Sequence, residues 1–170
     1  VVYQAHEWMS GLGMLFLKHS LPQVSTIFTT HATSIGRSIA GNNKSLYDYF
    51  EGYNGNQMAC ELNMQSKHSL EKAAAWNADS FTTVSEVTAR ECEQLLCRRP
   101  IVTPNGFEKN FVPTKKDYSD KSNEARAKML DVAGALIGEK LSDDTILIAT
   151  SGRNEFRNKG LDAFIDAVNI

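Results

Sequence analysis

The sequence predicts an α/β protein on three observations. Short β-branched runs alternate with stretches of helical spacing, a polar cluster follows the carboxyl end of several of those runs, and a long charged segment separates two apolar βα regions. Alternation of this kind is built as parallel strands with helices on the sheet faces, and ligands then bind beyond the carboxyl ends of the strands. Two such regions, the second opening near residue 145, predict parts of two domains.

Each element has its own justification. "VVYQA" reads as a strand that runs into a helix from about Glu7 to Ser20, and "VSTIFTT" is β-branched throughout, which completes a βαβ unit. A polar, glycine-containing region runs from about Gly41 to Asn56. "SKHSLEKAAAWNA" is alanine-rich with helical spacing, and "SFTTV" is again of strand type. Ser85 is placed to cap "EVTARECEQLL", because its hydroxyl can accept a first-turn amide and Glu86 complements the helix dipole. "IVTPNGF" is a short strand entering a turn, with Pro104 fixing φ and Asn105-Gly106 tolerating positive φ. From Val112 to Asp144 the composition turns charged, with helical spacing only from about Ser122 to Lys140, which predicts a linker and a peripheral helix. "TILIAT" then reads as a strand, and "GLDAFIDAVNI" as a helix with Leu161, Phe164, Ile165 and Val168 on one face. The predicted division is residues 1–113, a linker and helix over 114–144, and a fresh βα unit over 145–170.

Composition excludes several functions. A chain of 170 residues with 42% hydrophobic residues can bury a sizeable core. Eighteen basic against twenty acidic residues leave a net charge of −2, so there is no broad cationic surface for a nucleic acid. Cys60, Cys92 and Cys97 are odd in number and lack metal-ligand spacing, which predicts free thiols, no metal and a cytoplasmic location. The apolar stretch around "MLFLKHSL" is broken by Lys18 and His19 and falls short of the about 20 residues that cross a bilayer, so no membrane partner is predicted. The chain does not begin with Met and opens on a strand-like run, so it is expected to be an internal piece of a longer protein.

The polar clusters are "AHEW", "THATSIGR" and "SGRNEFRNKG". None matches the dinucleotide fingerprint or the phosphate loop, which argues against a dehydrogenase or an ordinary ATPase and against a resident cofactor. His6 and Glu7 either pair at a helix start or face a ligand. His31 either caps the following turn or lies where a ligand would sit, and Arg37, just past Gly36, either reaches back over the same crevice or lies on the surface. Arg153 and Lys159 are read as solvated loop charges or as an anion site, since a planar bidentate donor and a point charge beside a helix start suit a diphosphate without metal.

Taken together, "AHEWMSGLG", "TIFTTHATSIGR", "EKAAAWNADSFTTVSEVTARECEQLL", "TPNGF" and "SGRNEFRNKGLDAFIDA" resemble the glycogen synthases of the animal and fungal type, in order and at plausible spacing, least so over residues 38–65 and 108–144. The resemblance implies a GT-B enzyme of two Rossmann-like domains, both only partly present here. Its implied activity is transfer of glucose from a nucleotide diphosphate sugar, usually UDP-glucose, to the terminal 4-hydroxyl of an α-1,4-glucan with retention. By the family's pattern His31 and Arg37 line the donor-sugar side of the interdomain cleft, and Arg153 and Lys159 hold the donor diphosphate. The full-length protein is then expected to be a homo-oligomer.

The sequence also departs from the family. An acidic residue that several members carry is absent from "RRPIVTPNG", and the His-Glu-x-Gln stretch that helps eukaryotic members bind glucose 6-phosphate is replaced by "FVPTKKDYS", which points to a bacterial-type member. The family's donor-loop glycines and C-terminal glutamates are not in this sequence, so the piece alone is expected to be inactive. Two other classes stay open: a sugar-nucleotide epimerase of GT-B fold and a non-catalytic glucan-binding module.

Overall fold

A computed structural model of the chain describes residues 1–157 and 159–169. The chain forms two compact units, Val1–Asn105 and Gly106–Ile170. In the first unit, β1 (Val2–His6), α1 (Glu7–Ser20) and β2 (Ser25–Thr30) come first. They are followed by α2 (Ser34–Gly41), a 3-10 turn (Phe50–Gly52), α3 (Gly55–Glu61), α4 (Gln65–Asn77), β3 (Ser80–Thr83), α5 (Glu86–Leu96) and β4 (Ile101–Val102). The sheet order is β1-β2-β3-β4 and every pair is parallel. This is the predicted α/β class, and each parallel neighbour requires a crossover, which the helices supply.

The β2–β3 register shows why these strands pair. Two Phe-Thr-Thr triplets align, so Phe28 faces Phe81, Thr29 faces Thr82 and Thr30 faces Thr83. The phenyl rings stack with centroids 5.8 Å apart. Because side chains alternate across a sheet, Thr29 and Thr82 project from the other face, where their hydroxyls hydrogen-bond at 2.8 Å. Around the phenyl pair, Ala5, Met14, Ala74, Ala75, Cys92 and Leu96 close the main core, and burial pushes the Cys92 thiol pKa up. The alanines of α4 are small enough to let α1 approach, and a Cβ on Gly11 of α1 would already lie 3.0 Å from Ala74 Cβ.

Ser85 caps α5 as the sequence predicts, its Oγ accepting from Thr88 N at 3.2 Å. Two short helices beyond those the sequence predicts, α2 and α3, border the region from Gly41 to Asn56. Thr33 caps α2 by accepting from Gly36 N at 3.0 Å, and Asn54 caps α3 by accepting from Gln57 N at 3.1 Å. Beneath these two short helices Ile35, Ile39, Leu46, Met58, Ala59 and Leu95 form a second core. Each short helix supplies only a few apolar residues, Ile35 and Ile39 from α2 and Met58 and Ala59 from α3, so this core exists only where they meet.

The second unit holds a 3-10 turn (Lys109–Phe111), α6 (Tyr118–Ile137) and α7 (Leu161–Val168). Helix α6 starts four residues before its predicted Ser122 and stops at Gly138, whose φ of 75° ends the helix in the left-handed region. Arg126 ties the following segment to the helix by donating to the carbonyls of Asp143 at 2.5 Å and Thr145 at 2.6 Å.

The predicted strand "TILIAT" is not formed. Residues 145–150 carry no strand, and Ile146 and Ile148 are 84% and 61% exposed. A strand needs a neighbour's amides and carbonyls, and no other strand occurs among the described residues of this unit. The face of α7 expected to bear Leu161, Phe164, Ile165 and Val168 is likewise largely uncovered, with Ile165 and Val168 exposed.

Gly36 is the tightest point of the first unit. A Cβ there would overlap both Glu91 Oε1 and Thr33 Oγ1, two buried atoms with no room to retreat. Gly36→Ala is therefore expected to destabilise the first unit by about 1–3 kcal/mol, the scale of an overpacked site. Thermal unfolding of the full-length variant checks this, and an unchanged melting temperature would contradict the packing described.

Candidate functional site

Strands β1 and β2 end side by side, with His6 opposite Thr29, so the residues that follow them share one edge of the sheet. Glu7 takes the left-handed backbone conformation, with φ of 64°, and its carboxylate accepts from the backbone amide of His31 at 3.0 Å. His6 does not pair with Glu7 as a helix-start reading allows. Its ring lies against His31, with Nδ1 of His6 3.1 Å from Nε2 of His31 and centroids 5.4 Å apart.

Nor does His31 cap the turn after β2, since that cap is Thr33. The structure places His31, half-buried, directly beyond β2 and beside a crevice of about 300 Å³. Glu7, Trp8, Ala32, Ser34, Arg37, Ser38, Met64 and Lys67 line the crevice. Arg37 lines this crevice, one of the two placements that its position in the sequence left open. Lys67 was not anticipated: it lies in the first turn of α4, thirty residues away in the chain, and its ammonium sits 5.2 Å from the centre of the Trp8 ring. Two cations and one carboxylate, with two serine hydroxyls and an indole, suit a polyhydroxy ligand bearing negative charge.

Two buried carboxylates hold this edge in place. Glu71 of α4 accepts from Ser34 N at 2.9 Å, from Ser34 Oγ at 2.6 Å and from Thr30 Oγ1 at 2.9 Å. Glu91 of α5 accepts from Thr33 N at 3.2 Å and from the Thr33 hydroxyl, and Tyr47 donates to its other oxygen at 3.3 Å. Burial pushes the Glu71 pKa above the ordinary carboxylate range, against the opposing pull of the hydrogen bonds from Ser34 and Thr30. Burial first, and then the Glu91 charge, raise the Tyr47 phenol. No local pattern singles out Glu71, which shares the buried face of its helix with His68, Ala74 and Ala75.

The second unit carries the other two candidates. Arg153 is exposed and ion-paired with Glu155 at 3.1 Å. Lys159 is exposed, its amide donates to Glu155 O at 2.9 Å, and its aliphatic stem lies near Gly152. One compact loop therefore holds both cations just before α7, whose N-cap, Gly160, supplies no side-chain acceptor. In the first turn Ala163 N is taken by Asp162 Oδ1 at 2.9 Å and Phe164 N by Gly160 O at 2.8 Å. Asn158 lies outside the described residues. Among the described residues no cluster of three or more His, Cys, Asp or Glu side chains could hold a metal, and no helix is long and apolar enough to cross a membrane.

A crevice at the carboxyl ends of parallel strands is where an α/β sheet binds its ligand. The sequence profile of the family described as "Glycogen synthase" matches residues 1–170. This chain belongs to the glycogen synthase family. It is 35% identical over 173 aligned residues to the liver glycogen [starch] synthase of Homo sapiens, covering 99% of this chain and 25% of that protein. It is 34% identical to glycogen [starch] synthase of Dictyostelium discoideum, covering 96% of the chain and 19% of the relative, and 34% identical to that of Neurospora crassa, covering 99% and 24%. The chain thus spans about a quarter or less of the length of these family members.

The raised pKa of Glu71 has a measurable sign. A carboxyl that holds its proton more tightly folded than unfolded favours the folded state below its unfolded pKa, and that advantage is lost as pH rises through the folded value. Glu71→Gln removes this titration. The stability of the wild type relative to Glu71→Gln is therefore expected to fall as pH rises from about 4.5 toward 7, by at most about 1.4 kcal/mol per pH unit. Denaturant titrations of both full-length proteins at several pH values check this, and a difference that grows with pH would contradict it.

Proposed function

We propose that the chain is part of a glycogen synthase that transfers glucose from a nucleotide diphosphate sugar, UDP-glucose by preference, to the terminal 4-hydroxyl of an α-1,4-glucan with retention. The observation that carries this is the crevice lined by Glu7, Trp8, Arg37 and Lys67 at the carboxyl ends of β1 and β2, in a chain that matches the family from end to end. In this proposal residues 1–113 belong to an N-terminal Rossmann-like domain, 114–144 form a linker and peripheral helix, and 145–170 open a nucleotide-binding domain. The full-length protein is a cytoplasmic homo-oligomer, and the chain alone is inactive. The stretch "FVPTKKDYS" in place of the family's His-Glu-x-Gln is what supports a bacterial-type member.

The roles follow from where charge develops. Breaking the bond from sugar to phosphate builds negative charge on the departing diphosphate and positive charge on the sugar, so cations already in place at the diphosphate lower the barrier more than they tighten ground-state binding. Arg153 and Lys159 take that part. His31 and Arg37 line the donor-sugar side. Retention without a carboxylate nucleophile fits attack from the leaving-group face, where a phosphate oxygen takes the proton of the acceptor hydroxyl.

Radiolabelled UDP-glucose, with and without glycogen, tests the reaction on the full-length protein. Label in polymer is expected. An epimerase would instead return an altered sugar nucleotide, and a binding module would leave the donor untouched. Arg153→Ala and Lys159→Ala are each expected to lower kcat/KM by about 100-fold or more, the scale of one lost preorganised donor. Wild-type turnover and UDP affinity in both would remove the diphosphate role. His31→Ala is expected to lower transfer by about 100-fold while its melting temperature moves by only a few degrees, about 1 kcal/mol. Parallel losses of stability and activity would return His31 to a structural role.

A further inference from the structure

We propose that His6 is a positioning residue for His31, and that the two imidazoles work as one unit which holds at most a single positive charge while it is intact. This rests on the reading of His31 as a donor-side residue. The register of β1 and β2 brings the rings together, because His6 ends β1 opposite Thr29 and His31 begins the segment just beyond β2. The backbone around His31 is held by two carboxylates: Glu7 Oε1 accepts the amide of His31 at 3.0 Å, and two residues on Glu91 Oε1 accepts the amide of Thr33 at 3.2 Å. With the backbone held, the freedom left to His31 is rotation of its ring. The 3.1 Å bond from Nε2 to Nδ1 of His6, with the rings inclined by only 29°, removes that freedom.

The proton count gives this contact a distinctive behaviour. One nitrogen of the pair must donate and the other accept, so the neutral pair shares one N–H at the contact. A further proton can go to the outer nitrogen of the donor ring and leave the bond in place. A second extra proton would set two N–H groups against each other, and the rings must part. The charges around the pair come from several elements. Glu7 at the start of α1 and the buried Glu71 of α4, bound to Thr30 and Ser34 on either side of His31, favour a cation; Arg37 of α2 and Lys67 of α4 at the crevice oppose one. A ring bond that merely fills space would be indifferent to this count.

The test compares wild type, His6→Leu, His6→Asn and His31→Ala in the full-length enzyme, by initial rates of glucose transfer to glycogen over roughly pH 5–8.5, where imidazoles titrate. His6→Leu is expected to lower kcat by about 10-fold or more, with little change in KM for the donor and, because His6 is exposed, little change in melting temperature. His6→Asn is expected to restore most of that rate, since its amide stands near the place of Nδ1 and can either donate or accept. Its acid limb is expected to move to lower pH, because an amide oxygen still accepts from a protonated His31. Wild-type rates and an unshifted acid limb in both His6 variants, beside an impaired His31→Ala, would overturn the positioning role alone. A fully active His31→Ala would overturn the donor-side reading beneath it. If His6→Leu does not fold, the acid limb of His6→Asn decides: shifted supports the pair, unshifted overturns it.

Discussion

The first unit depends on two carboxylates buried at the start of α2. Glu71 and Glu91 come from different helices and are 0% and 5% exposed, yet among the described residues no Lys, Arg or His is hydrogen-bonded to either. Burying a carboxylate costs several kcal/mol unless its lone pairs are filled. Here they are filled by the backbone amides of Thr33 and Ser34 and by the hydroxyls of Thr30, Thr33, Ser34 and Tyr47. These donors sit at the positive end of a helix, where negative charge is favoured. The cost of desolvation is offset by charge-assisted bonds that fix the turn between β2 and α2 in one conformation. That turn contains His31.

This clamp explains why Gly36 cannot carry a side chain. Carboxylate, threonine and helix N-terminus occupy one small volume, so the turn cannot slide without leaving a buried charge unpaired. Arg37 follows from the same helix and is carried to the rim. Glu7 reaches the turn from the other strand through its left-handed backbone, a conformation that costs about 1 kcal/mol or more for a non-glycine residue and persists where surrounding contacts impose it. The amide of His31 is one such contact. Fold and candidate site are joined at this point because His31 and Arg37 hang from the bonds that close the sheet edge.

Much was legible from local pattern. Ser85 before "EVTARECEQLL" marked a cap, and the β-branched "TIFTT" and "SFTT" marked strands, because caps and strand preference are set by a residue and its immediate neighbours. Arg37 and His31 were legible as candidates because both follow a strand end. The helices α2 and α3 were less so: Thr33 and Asn54 cap them in the usual way, but their apolar faces are short and close on residues of α5. "TILIAT" shows the opposite limit. Its composition suits a strand, but a strand is a relation between two segments, and this one has no neighbour among the described residues.

By itself, the sequence determined the α/β alternation, most of the helices and strands of the first unit, and the short list of cations and histidines at strand ends, because each depends on spacing within a few residues. Only the tertiary structure decided which of them meet. It paired His6 with His31 instead of Glu7, brought Lys67 and Trp8 to the rim beside Arg37, and turned Glu71 from a helix charge into the acceptor that holds Ser34 and Thr30. The physical reason is distance along the chain. These contacts join residues 25 to 59 positions apart, and their energies arise from burial and hydrogen-bond geometry, which come into being only when the sheet has closed.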